Sequence, residues 1–421
     1  MDARRVLPGP RLSPLLGRQY QLWRFRRDPL GYVQHLTKRY GALATLDPSH
    51  PRLVFVSGAA ATRQLLAEAE HVQMLQAHEL QRAPLRLTAL LWSAPPPLVL
   101  PEAALPALTA ITLEQVEGLL DRWGIGQVID VAYVLPRLMR RIVLALLLGP
   151  TAPQDAHLEA ILDRVGTGDV PPTHAIQALA GLLQRRSAPE WPDTDPAHVL
   201  VRAAPGQAAT LLWRLITAHE RLGLLLGWCL LLLSQHPRVL EEAEHEVEHV
   251  FGRQPPALEA LAALPRLEHI MRETLRLLPP LALGARITRR EVTLAGYRLP
   301  AETLLFYSPL GTQRDAAYIA PYHFRPERWR YLEPTPELFH PFGLGPDLWD
   351  AAPWAMVAAK LILARVLQRY RLAFAPGARI DWARGPMLQP RTGLPLIIGA
   401  RHRPLIRRTP SGAIRTLIAL P

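Results

Sequence analysis

Residues 272–280 read RETLRLLPP, residues 324–329 read FRPERW, and residues 340–346 read HPFGLGP; these three stretches decide the fold. In the first, Glu273 and Arg276 stand three apart, which places both side chains on one face of a helix and permits a charge-assisted pair. A lone Glu-x-x-Arg is ordinary on a solvated helix. Here it is followed about fifty residues on by a second arginine, Arg328, and then by a glycine-rich loop just ahead of the last long apolar helix.

Outward from these segments, apolar spacing predicts helices over Leu105–Trp123, Val131–Leu148, Ala208–Gln235, Pro237–Phe251, Leu258–Leu278 and Ala352–Gln368. Near the start, Asp28 is placed to cap a helix that opens with Pro29 and ends at Gly41. The Ala208–Gln235 segment is apolar all round in its second half, as befits a helix through the middle of a large domain. Strand-like runs are ALATLD (42–47), RLVFVSG (52–58), Tyr370–Phe374 and Leu394–Ile398. Residues 285–309 alternate with a period of two and turn at Ala295-Gly296, which predicts an antiparallel pair. The class is therefore mainly α with a small antiparallel β region. Residues 1–403 read as a single domain, and residues 404–421 as a basic, peripheral C-terminal tail.

Composition narrows the function. The chain has 421 residues and a formal net charge of +12, but its basic residues are almost all arginine and are spread from end to end. Without a stripe or run of them, nucleic acid is not the expected partner. A single cysteine, Cys229, excludes a disulfide framework, an iron–sulfur cluster and a cysteine-built zinc site. The longest apolar stretch, Leu222 to Leu233, is a dozen residues and falls short of the ~20 needed to span a bilayer. The first residues contain no apolar run of secretory type, so a cytoplasmic protein without a stable membrane span is expected.

Taken in order and with their gaps, the three segments resemble the C-terminal signature of the cytochrome P-450 superfamily. The matching residues are Glu273 and Arg276, the Pro326-Glu327-Arg328 segment whose arginine joins that pair in the family, Thr312–Asp315, and Phe342 with Gly345 in the loop. The N-terminal LPGP (7–10), the helix 28–41 and GYRLPAET (296–303) fit the same pattern. The resemblance implies the cytochrome P-450 fold over nearly the whole chain, with Glu273, Arg276, Arg328, Phe342 and Gly345 in structural roles.

The departures from the family pattern fall at functional positions. The family loop carries a cysteine whose thiolate is the axial haem ligand; here that position is Trp349, and an indole N–H is a donor only. An arginine that helps neutralise a haem propionate is replaced by Asp347, and the glycine after the ligand by Ala351. The oxygen-activating helix motif aligns with Thr217-Ala218-His219-Glu220-Arg221, keeping the acid as Glu220 and replacing its threonine with Arg221. Ahead of Leu105, LLWSAPPPLVLPEAAL (90–105) lacks the family's Trp-x-x-x-Arg helix, so the C-helix region reads as shortened. Arg286 is the propionate-contact position still matched.

Three functional readings remain open on this basis. The first is a haem-free enzyme doing acid–base or Lewis-acid chemistry, such as cyclisation or isomerisation, on a lipophilic and isoprenoid-like small molecule of secondary metabolism. Glu220, His219 and Arg221 then form the reacting centre, with Asp347 and Asp350 holding Mg²⁺ if a metal is used, and Asp347, Asp350, Ala351, Trp354 and Arg286 lining the former haem site. Trp349 and Trp354 are placed to fill vacated volume. The second is a non-catalytic helper subunit docked on a biosynthetic partner protein. The third is a haem protein with a substitute ligand, His219 or His340.

Overall fold

The computed structural model describes residues 6–12, 17–73, 105–149, 155–167, 172–186, 206, 208–344, 352–382, 388–404 and 406–421. The helices are α1 (Gly17–Arg27), α2 (Pro29–Tyr40), α3 (Ala59–Ala67), α4 (Leu105–Leu120), α5 (Val131–Leu148) and α6 (Ala156–Thr167). They continue with α7 (Pro172–Arg186), α8 (Ala208–Gln235), α9 (Pro237–Phe251), α10 (Pro265–Leu277) and α11 (Ala352–Arg369), with a single further turn at Pro309–Thr312. Helix starts follow the local chemistry. Asp28 accepts the Gly31 N–H at 3.0 Å ahead of Pro29, and Asp130 accepts the Ala132 N–H at 3.0 Å ahead of α5.

Helix α8 is the axis of the molecule. Its second half, from Leu222 to Gln235, is buried throughout, and it packs most extensively against α5. The close approach depends on Gly223. A Cβ there would stand 2.3 Å from the Pro136 nitrogen and 2.5 Å from the Leu135 carbonyl carbon, so only a glycine lets α8 lie on the α5 backbone. Among the described residues no single helix is long and apolar enough to cross a membrane.

The β structure lies to one side. Strands β1 (Leu43–Thr45), β2 (Leu53–Val56) and β3 (Val72–Gln73) join β5 (Gly284–Thr288) and β8 (Leu304–Tyr307) in a sheet of order β1-β2-β8-β5-β3. A second sheet orders β4 (Val128–Asp130), β10 (Pro395–Ala400) and β9 (Tyr370–Phe374), and β6 (Val292–Leu294) pairs with β7 (Tyr297–Leu299). Phe25, Phe55 and Phe306 seal the first sheet against α1 and α2, with ring centroids 5.2–5.7 Å apart.

Three sequence expectations are corrected. The β region is mixed, because β2 and β8 run parallel, pairing Leu53 with Leu304 and Val56 with Tyr307. The segment Leu258–Leu278 is two elements, a 3₁₀ helix Leu258–Ala263 and then α10, because Pro265 begins a new first turn and supplies no N–H to continue the old one. The tail after Arg403 is docked rather than peripheral. Ile414, Leu417 and Ile418 are buried in the main core, and Arg314 donates to the Leu417 carbonyl at 3.0 Å. The shortening expected ahead of Leu105 lies outside the described residues.

Candidate functional site

The best-defined polar cluster is built on the buried carboxylate of Glu273. Arg276 meets it with two donors, Nε to Oε2 at 3.0 Å and Nη2 to Oε1 at 2.8 Å, the fork geometry that a guanidinium offers a carboxylate. Arg328 Nε donates to the same Oε1 at 3.0 Å, as does the Arg325 backbone N–H. The remaining donors of Arg276 reach the carbonyls of Gln313, Pro321 and His323. Glu273 and Arg276 are wholly buried, and every charge there is matched by hydrogen bonds. The three residues expected to form a structural set are thus brought together.

Two members were not singled out from sequence. Trp329 donates its indole Nε1–H to Glu273 Oε2 at 2.9 Å, and Gln313 donates to the Leu275 and Arg276 carbonyls at the end of α10. The signal for Gln313 lay in the Thr312–Asp315 segment. Nothing local marks Trp329 as a carboxylate partner, since it stands 56 residues from Glu273.

A second cluster joins β5, β8 and the start of the glycine-rich loop. Arg286, buried on β5, donates to the Ala285 carbonyl at 3.1 Å and to the Leu344 carbonyl, and its guanidinium lies 5.4 Å from the centre of the Tyr307 ring. Tyr307 lies directly across from Gly284, where a Cβ would stand 2.2 Å from its ring; the missing side chain makes room for the phenol. His340 packs beside Tyr307 with ring centroids 6.1 Å apart. Its Nδ1 lies 3.1 Å from the Pro336 carbonyl, which assigns the proton to that nitrogen and leaves Nε2 as the lone pair. Among the described residues Nε2 is buried without a hydrogen-bond partner, and burial pushes the imidazole down to about 4, so it is neutral near pH 7.

Cys229 lies elsewhere. It is buried in α8, nine residues past Glu220, and its thiol faces Thr274 of α10; burial raises it to about 12. Nine residues of α-helix separate the two positions by roughly 13 Å along the axis.

The other expected site residues divide by placement. Trp354 is buried in the main core at the start of α11, and Phe342 packs on that core. His219 and Glu220 lie in the middle of α8, with Arg221 next to them half-buried; the side chains of His219 and Glu220 are outside the described set. Gly345, Asp347, Trp349, Asp350 and Ala351 also lie outside the described residues. Among the described residues no group of three or more His, Cys, Asp or Glu side chains is placed to hold a metal ion.

Comparison with known proteins agrees with this architecture. Residues 214–392 match the cytochrome P450 family. The chain is 33% identical over 159 residues to a pentalenene oxygenase of Streptomyces avermitilis, covering 37% of this chain and 35% of that protein. It is 32% identical over 232 residues to cytochrome P450 139 of Mycobacterium tuberculosis, covering 51% of this chain and 54% of the relative. These matches thus span about a third to a half of the relatives' own length. Among solved structures, retinoic acid-bound cyanobacterial CYP120A1 superposes with a TM-score of 0.80 over 95% of this chain and 100% of that one, at 21% identity. The stretch that matches the cytochrome P450 family contains the glutamate–arginine network, and the fold of CYP120A1 is shared over nearly the full length of the chain.

Proposed function

We propose that this protein is a cytochrome P450-fold enzyme that works without a haem thiolate and moves protons on a lipophilic, terpenoid-like small molecule. The observation that carries the reading is Cys229. It is the one cysteine in 421 residues, it is buried in a helix–helix contact, and a thiol raised to about 12 supplies no thiolate near neutral pH. At the family's ligand position stands Trp349, whose indole offers no lone pair. The residues present do not fit a haem held by cysteine.

Chemistry without that group falls to the chain's own side chains. Glu220 is the proton-transferring residue in this proposal, with His219 and Arg221 beside it in the middle of α8. Asp347 and Asp350 holding Mg²⁺ form its Lewis-acid version. The ligand class is supported by two likenesses, to an oxygenase named for pentalenene and to a structure that holds retinoic acid. Both compounds are lipophilic isoprenoids.

The test is the absorbance and carbon-monoxide difference spectrum of protein produced with a haem precursor. The expected result is no thiolate-type band. Stoichiometric haem with such a band overturns the proposal. A haem band of imidazole type, lost in His340→Ala, would replace it with the substitute-ligand reading, because the buried Nε2 of His340 has no hydrogen-bond partner among the described residues. A protein with no haem and no turnover that co-purifies with a biosynthetic enzyme would be a helper subunit instead.

A further inference from the structure

A cleft of about 690 Å³ opens between α1, the start of α2 and the chain around Arg379–Trp382. Four arginines line it, Arg24 and Arg27 from α1 and Arg379 and Arg391 from the opposite wall, against two aspartates, Asp28 and Asp381. His35 also faces the cleft from α2. The acids are already engaged. Asp28 accepts the Gly31 N–H as a helix cap. Asp381 accepts Arg379 Nε at 2.6 Å and the Ala413 N–H at 2.8 Å, and its Oδ2 lies 3.7 Å from Arg391. One carboxylate therefore serves two guanidinium groups.

Arg24 and Arg27 are held differently. Neither has a carboxylate within ion-pair distance among the described residues. Arg24 instead lies over the Tyr32 ring at 5.4 Å and Arg27 over the Trp23 ring at 5.2 Å. Stacking fixes the plane of a guanidinium and leaves its N–H donors available at the edge. The lining carries an excess of two positive charges, with the indoles of Trp23 and Trp382 as apolar faces beside them. The volume falls in the range of small-molecule sites, and the cleft is open to solvent between α1 and α2 on one side and residues 379–413 on the other.

We propose that this cleft binds a small organic phosphate, its dianionic head between Arg27 and Arg391 and its organic part against Trp23 and Trp382. None of these residues is among those proposed for the reacting centre, so the proposal does not rest on that reading.

Equilibrium dialysis of the full chain tests this with farnesyl diphosphate, inorganic diphosphate and farnesol as probes. Farnesyl diphosphate is expected to bind saturably, inorganic diphosphate more weakly, and farnesol not at all at matched concentration. Arg27→Gln and Arg391→Gln should each weaken farnesyl diphosphate about tenfold or more, as loss of a charge-assisted donor does. Arg253→Gln, outside the cleft, should leave binding unchanged, and both exposed cleft arginines should be replaceable at constant melting temperature. Four results would each overturn the proposal: no saturable binding of either diphosphate, equal binding of farnesol, equal affinity in the cleft variants, or retention only by phosphatidylglycerol-containing vesicles. The last would identify a membrane-facing surface.

Discussion

Trp329 donates its indole N–H to Glu273 Oε2 at 2.9 Å, so the carboxylate at the centre of the fold is held by an aromatic side chain as well as by two arginines. That donor turns an ion pair into a closed network in which both carboxylate oxygens are satisfied. It also sets the orientation of Trp329 against Phe339, 4.8 Å away between ring centroids.

Glu273→Ala should therefore leave Arg276 buried and uncompensated, at a cost of ~3–5 kcal/mol. The expected outcome is insoluble protein or a melting temperature lowered by many degrees. Trp329→Phe keeps the ring and removes one donor, so it should cost only ~1–2 kcal/mol. A melting temperature unchanged in Glu273→Ala would show that the network carries no stability.

Much of this centre is legible in the sequence because it is local or strongly spaced. Glu273 and Arg276 are one helical turn apart, Asp28 precedes Pro29, and the apolar periods of Val131–Leu148 and Ala208–Gln235 match the helices at both ends. What escapes is long-range or set by one residue. The parallel pairing of β2 with β8 joins segments 250 residues apart, and the run 52–58 carries no trace of its partner. Pro265 was a readable break in Leu258–Leu278, since proline at a first turn starts a helix. The docked tail had its own signal in Ile414, Leu417 and Ile418, whose spacing of three and four marks one apolar face. At the candidate site, the cradle of Gly284 around Tyr307 and the lone Nε2 of His340 depend on tertiary placement alone.

Two glycine-to-alanine changes should move stability in opposite directions. At Gly223 a Cβ meets the backbone of α5, so Gly223→Ala should cost about 1–3 kcal/mol or more. At Gly118, inside α4, a Cβ meets nothing within 4 Å, and alanine should add about 0.5–1 kcal/mol through helix propensity. Thermal unfolding of the pair checks both. Equal shifts would mean that α8 and α5 are not in backbone contact.

His340 makes stability depend on acid. Its folded value, about 4, lies below the ordinary 6.5, so the unfolded chain binds the extra proton between those values. Stability is then full above pH 6.5 and falls as pH drops toward 4, by on the order of 3 kcal/mol from this residue. His236 and His269 shift in the same direction, chiefly through burial, and add to the slope. His340→Phe should flatten the acid limb of a stability–pH profile, whatever its effect at pH 7. A profile of unchanged slope would mean that the imidazole is not buried neutral.

Arg286 ties β5 to the loop through the Leu344 carbonyl while its charge rests against Tyr307. Arg286→Ala removes a charge-assisted donor worth roughly 1.5–3 kcal/mol. Amide exchange across Phe342–Leu344 should accelerate about tenfold to a hundredfold, since local opening follows the lost bond. Exchange confined to wild-type rates there would place the hold on the loop elsewhere.

Turnover separates proton transfer from metal assistance. The proposed proton-transferring residue is Glu220, in the middle of α8, with His219 and Arg221 as its sequence neighbours. Glu220→Gln keeps the volume and removes the titrating group. With an isoprenoid substrate it should lower the rate by ~10²–10⁴-fold while the melting temperature holds. Asp347→Asn and Asp350→Asn should matter only in the Mg²⁺ version, where activity depends on added metal and falls with chelator. Loss in Glu220→Gln without any chelator effect assigns the chemistry to the carboxyl group alone. Loss in the aspartate variants together with a chelator effect assigns it to the metal. Full activity in all three variants moves the reacting centre away from α8 and the loop.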